Sequence, residues 1–235
     1  MSSATAAVSQ GYVRFAGCCY LLIIALGLFA ETQVRGSLIV AGDASATAAQ
    51  IGAASTLWRS GIVADLCMQL LDIPIIVLFY LLFKRVNAAL NLTATGFNLI
   101  QTAVLVANKL TLMLPLLLAG SGAYLAAFST EQRDALAYLA IQLHGYGFAI
   151  GLLFFALACV IRGYLIIQSQ FFPKILGLML GLAGVCYLVN TLALLLAPEL
   201  ADTLFPWIML PVLVGELSLS LWMIVKGANV KGNMS

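Results

Sequence analysis

Charge is what this sequence has least of. Eleven Lys and Arg and nine Asp and Glu stand among 235 residues, with a single histidine. An ordinary soluble domain carries charge on about a quarter of its residues, so this chain is too poor in polar surface to be one. The net charge of +2, with no basic run and no aromatic-basic patch, leaves no footprint for nucleic acid. Cysteine is present without the spacing that its chemistry needs. The five, Cys18, Cys19, Cys67, Cys159 and Cys186, form no CxxC pair and all fall in hydrophobic segments. Neither a disulfide framework nor a thiolate metal site is supported, and small apolar packing residues is the plain reading. A zinc site from His144, Asp65 and Glu216 has suitable ligand types, but no HExxH and no paired-histidine spacing. No cofactor is implied.

Hydrophobicity is abundant instead: 63% of the residues are apolar and the mean hydropathy is +1.08. Six segments come near the ~20 residues that a tilted membrane helix needs. They are Tyr12–Ala30, Ser60–Phe83, Ala88–Leu117, Ala135–Ile161, Pro173–Leu196 and Leu204–Val225. This predicts an all-α, polytopic transmembrane helix bundle of six spans, one transmembrane domain over 1–235, with an external loop over Glu31–Thr56. Splitting the long third segment near Lys109 would give seven spans, the alternative topology. The first segment has only Arg14 at its border and no basic leader, so it reads as a retained span.

Charge asymmetry orients the six. With the N-terminus inside, Arg14, Lys84, Arg85, Arg162, Lys174, Lys226 and Lys231 fall on the inner side, against Arg35, Arg59, Lys109 and Arg133 outside. Positive-inside bias then puts both termini in the cytoplasm of a multi-pass protein of the cell membrane. Asp43 is placed to cap an Ala-rich helix, and Glu31 and Arg35, four apart, can pair if their turn is helical. Pro74, Pro115 and Pro211 lie inside spans and should bend them, while Trp58, Trp207 and Trp222 suit an aromatic belt.

The polar residues inside these spans carry the functional argument. Asp65, Gln69 and Asp72 fall within about 60° of one another at 100° per residue, so they share one helix face. A carboxylate at mid-bilayer costs roughly 2.5–3.5 kcal/mol on insertion scales, so the acids should face protein, water or a counter-ion. Asn91, Thr95, Asn98, Thr102 and Lys109 form a second stripe of the same width, expected to face the first across the Lys84–Asn87 turn. His144 and Glu216 add polar groups on later spans. Counted this way, Asp65, Asp72 and Glu216 meet one deep permanent base, Lys109, which reaches Asp65 more readily than the mid-depth acids. Asp72 or Glu216 should then be protonated, or hold a cation or a ligand amine.

The candidate ligand- or ion-binding residues are thus Asp65, Asp72, Asn98, Lys109, His144 and Glu216, with Glu31, Arg35, Asp43 and Arg59 as an outer rim. The leading expectation is an outward-facing polar cavity that binds or moves a small solute, proton or cation. The alternative is a structural or regulatory membrane subunit in which the same groups only tie helices together. An enzyme comes third, because one histidine and dispersed acids make no nucleophile–base–orienter set.

Separated stretches also resemble a known family in the same order along the chain. They are FAETQVRGSLIVAGDASATAAQI with Arg59 after it, LLFKRVNAAL, GLLFFALACVIRGYLIIQSQFFPKILG, GVCYLVNTL and GELSLSLWMIVKG. Together they resemble the bacterial membrane proteins grouped as the domain of unknown function 4386 family. The resemblance covers nearly the whole chain and implies a multi-helix integral membrane protein without an established activity or substrate. Carried over position by position, its pattern takes in Glu31, Arg35, Asp43, Arg59, Gly163, Tyr164, Pro173, Gly215, Glu216 and Trp222. Gln50 stands where asparagine is expected and Ala156 where glycine is common.

Overall fold

The computed structural model describes residues 8–229, and Lys231, counted above on the inner side, lies outside them. Among the described residues there are helices and no strands. The chain runs through α1 (Gln10–Leu38), α2 (Ala44–Ala53), α3 (Ser55–Phe83), α4 (Ala88–Leu118), α5 (Thr130–Gln168), α6 (Lys174–Leu196), α7 (Pro198–Leu204) and α8 (Met209–Val225). Five of these are long and apolar enough to cross a membrane, and α7 with α8, bent by 56° at their junction, makes up to six. Helix α4 is unbroken through Lys109, which removes the seven-span alternative.

Lipid explains what the helices leave uncovered. Leu70 on α3 and Leu110 on α4 are 72% and 73% exposed, and such side chains recur along every long helix. In water each would forfeit about 1.5–3 kcal/mol of burial, whereas acyl chains accept them. The chain is an all-α, multi-pass membrane protein.

Local chemistry sets the helix ends. Helix α1 does not stop at Ala30 but continues to Leu38 through a π-helical stretch, Phe29–Arg35, so much of the expected external loop is helix. Asp43 caps α2 by accepting from the Ala46 amide at 2.8 Å. Thr47 secures the same turn, its hydroxyl donating to the Val40 carbonyl and accepting from the Val40 amide. Pro74 and Pro115 do lie inside helices, but Pro211 sits in the first turn of α8, where a missing N–H costs nothing.

The described residues pack as two compact units. One takes in the chain up to Leu22, Leu71–Thr102 and the chain from Ile150 on; the other takes in Ile23–Leu70 and Ala103–Ala149. In the first, α6 packs along α8, and Phe79, Phe83, Leu165, Leu180, Leu219 and Met223 are fully buried. Helices α5 and α6 touch backbone to backbone there, since a Cβ at Gly163 would lie 2.6 Å from the Gly177 carbonyl oxygen. In the second, Val34, Leu38, Ile51, Trp58, Ile62, Leu112 and Ile141 form the core. Trp58 is therefore no belt residue: it is buried, and its indole N–H donates to the Leu112 carbonyl at 2.8 Å.

Candidate functional site

The candidate residues fall into two sets, one in each unit. In the second unit, Asp65 is the centre. Its Oδ2 accepts from Arg35 Nη1 at 2.8 Å and from Lys109 Nζ at 3.0 Å. Arg35 also donates through Nε to Glu31 at 2.8 Å, the pair that the i, i+4 spacing foresaw. The Arg35 side chain is 11% exposed, so this rim candidate is a largely covered partner of Asp65. The π-helical stretch is the reason, because it keeps Arg35 on a helix where a loop was expected.

Lys109 is held from a second side by the ring of Phe148, its Nζ 5.6 Å from the centroid. His144 is buried beside Asn108, whose side-chain amide donates to the His144 carbonyl at 2.9 Å and approaches Nδ1 at 3.0 Å. Asn108 was absent from the sequence candidates because it lies about 100° off the polar stripe of its helix. What admits it is Gly147, against whose bare Cα the Asn108 amide packs; any Cβ there would collide with it. Of the other rim candidates, Asp43 serves as the α2 cap, and Arg59 is exposed and makes no ion pair among the described residues.

The first unit holds Asp72, Asn98 and Glu216. Asp72 Oδ2 accepts from Asn98 Nδ2 at 2.7 Å and from Thr102 Oγ1 at 3.1 Å, so the middle of the α4 stripe does meet α3. Asn98 donates as well to Gln101 Oε1, and its own Oδ1 accepts from Arg162 Nη1. Arg162, placed by sequence on the inner surface, is 3% exposed. It was misplaced because α5 was expected to end at Ile161, whereas the helix continues to Gln168. The guanidinium carbon lies 5.1 Å from the Phe79 ring centroid, and Nη2 is buried without a hydrogen-bond partner.

Glu216 has no base within ion-pair distance among the described residues. Its carboxylate accepts from the Tyr187 hydroxyl at 3.2 Å, with the Tyr20 hydroxyl also against it. Asp72, Cys159, Arg162, Glu216 and the two tyrosines lie close enough to interact electrostatically, so this is one buried set. Of its two carboxyls, Asp72 is the one that the Arg162 guanidinium neutralises, while Glu216 meets Asp72 and the tyrosine hydroxyls.

The sequence count of one deep base is thus corrected. Arg162 is buried as well and Arg35 largely covered, and of the three deep acids Glu216 is the one left without a cation beside it among the described residues. Among the described residues, no cluster of three or more His, Cys, Asp or Glu side chains is arranged to hold a metal.

No curated protein and no solved structure matches the chain. The stretches that bring these groups together, FAETQVRGSL with Arg35, VIRGYL with Arg162 and GELSLSLWM with Glu216, belong to a domain that does have a family model. That model, the domain of unknown function 4386, matches residues 15–227, and the chain belongs to its family.

Proposed function

We propose that the protein binds, or carries across the membrane, a small polar solute or ion at the buried set of Asp72, Asn98, Arg162 and Glu216. What supports this is unfilled capacity of both signs in one buried place. Arg162 Nη2 is a donor with no acceptor, and Glu216 is an acid with no base. Leaving a buried polar group unsatisfied costs about 1–3 kcal/mol, more when it is charged. A ligand that offers an acceptor to Arg162 and a proton or positive charge to Glu216 completes both. A solute that carries both an amine and an acceptor oxygen meets both groups, whereas a proton or small cation meets the acids alone.

The second reading is a structural or regulatory subunit, and the other set favours it. Asp65 is fully paired between Arg35 and Lys109, which ties helices without needing a ligand. On our reading that set braces the bundle and the Arg162–Glu216 set does the binding. An enzymatic role has the least support, since the one histidine, His144, is engaged by the Asn108 side chain. We read the protein as lying in a bacterial inner membrane with both termini cytoplasmic, on the charge bias of its ends.

The test is mass spectrometry of small molecules retained by protein purified in native lipid discs, with proton uptake followed in reconstituted vesicles. Glu216→Gln and Arg162→Gln are expected to fold and to lose the retained molecule, or the proton signal, at least tenfold. Equal retention and equal ligand-induced stabilisation in both variants would end the binding hypothesis.

A further inference from the structure

A cavity of about 250 Å³ opens in the second unit, where α2, the end of α4 and the start of α5 meet. It is lined by Ser45, Ala48, Pro115, Leu118, Arg133 and Asp134 among others, and by none of the buried candidates discussed above. Its chemistry is mixed. Alanines, Pro115 and Leu118 make an apolar wall, while Arg133 and Asp134 bring one charge of each sign. Neither makes an ion pair among the described residues, although both line the same space. Arg133 Nε is moreover buried with no hydrogen-bond partner, although the residue as a whole is half-buried, so one donor of its guanidinium stands unfilled beside the cavity. The start of α5 is not in need of a ligand. Ser129 and Gln132 already cap it, the Ser129 amide donating to Gln132 Oε1 at 2.9 Å and the Gln132 amide to Ser129 Oγ at 3.3 Å.

From this we infer a binding site for a phosphoethanolamine-type zwitterion, a phosphate joined by a short linker to a primary ammonium. The phosphate oxygens accept from the Arg133 guanidinium, and the ammonium donates to the Asp134 carboxylate. The carbon skeleton next to the phosphate lies on Pro115 and Leu118. Guanidinium suits phosphate because it presents several N–H donors in one plane. The volume is below the ~300–1,000 Å³ of pockets for drug-sized ligands, so it holds a head group and not a whole lipid. A lone anion or a lone cation would use only one of the two charges that line the cavity. The site is independent of the buried Arg162–Glu216 set.

The same chemistry occurs on phosphatidylethanolamine and on soluble phosphoethanolamine compounds, and one experiment separates them. The full-length protein is taken from vesicles of equal phosphatidylethanolamine, phosphatidylcholine and phosphatidylglycerol and its retained lipids are counted by native mass spectrometry. Phosphatidylcholine lacks an ammonium N–H and phosphatidylglycerol lacks the ammonium, so both are expected at least tenfold below phosphatidylethanolamine. Arg133→Gln and Asp134→Asn are each expected to abolish the preference, and Arg133→Lys to keep part of it. Displacement by excess O-phosphoethanolamine supports a soluble occupant; retained preference in its presence supports the lipid. Equal retention of the three lipids by the wild-type protein, or an unchanged preference in both charge-removing variants, overturns the site.

Discussion

Asp65 shows how much one residue depends on its neighbours here. It sits between two cations, and removing either leaves a buried charge set out of balance. Breaking a buried pair by deleting one partner costs about 3–5 kcal/mol. Lys109→Met is expected near the lower end, because Arg35 still neutralises Asp65, and the loss should appear as a lower unfolding midpoint in detergent. No shift in that midpoint would show the pair to be idle. Gly147 is a subtler case. A methyl group there meets the Asn108 amide, so Gly147→Ala should cost about 1–3 kcal/mol by overpacking and loosen Asn108 from His144. Gly145→Ala, two residues earlier with nothing within 4 Å, should be neutral. Equal effects at the two glycines would remove the packing argument.

Contacts between whole elements rest on similarly small features. Helices α5 and α6 approach so closely that a Cβ at Gly163 would meet three backbone atoms of α6 within 2.9 Å. Backbone cannot swing aside as a side-chain tip can, so Gly163→Ala should separate the helices and cost about 1–3 kcal/mol or more. Gly181→Ala on the facing helix has open space and should leave the unfolding midpoint unchanged. The Arg162 donors lie one residue from Gly163, so the same separation should weaken ligand retention as well as stability. Helix α2 depends on a different device, its N-cap. Asp43→Ala is expected to cost about 1 kcal/mol. Amide exchange should rise in Ala44–Ala53 and not in the long helices; uniform protection across α2 would refute the cap's role.

For the whole molecule the open matter is which end faces which side. Removing the paired Arg35 and the buried Lys109 and Arg162 from the positive-inside count sharpens it. By the sequence count, Arg14, Lys84, Arg85, Lys174, Lys226 and Lys231 remain at the ends expected inside, against Arg59 and Arg133 at those expected outside. Cysteine labelling in intact cells should modify Ala44→Cys from outside and leave Ser2→Cys and Asn233→Cys untouched; external labelling of either terminal variant would reverse the topology. Membrane character, the run of long helices, the α2 cap and the polar faces of α3 and α4 were all legible in the chain. Hydropathy, capping and the 3.6-residue period are local properties, written within a few turns of sequence. The meetings of Lys109 with Asp65 and of Asn98 with Asp72 follow from two such faces on helices joined by a tight turn. Trp58, Arg35 and Arg162 were another matter, because the same residue types also suit an interface, a loop and an inner rim. Only the fold decided them: α1 and α5 run on past their expected ends, and Trp58 finds the Leu112 carbonyl to bond. Whether a cation is a surface charge or a buried partner depends on which other helix lies beside it, and that is a property of packing, not of any one segment.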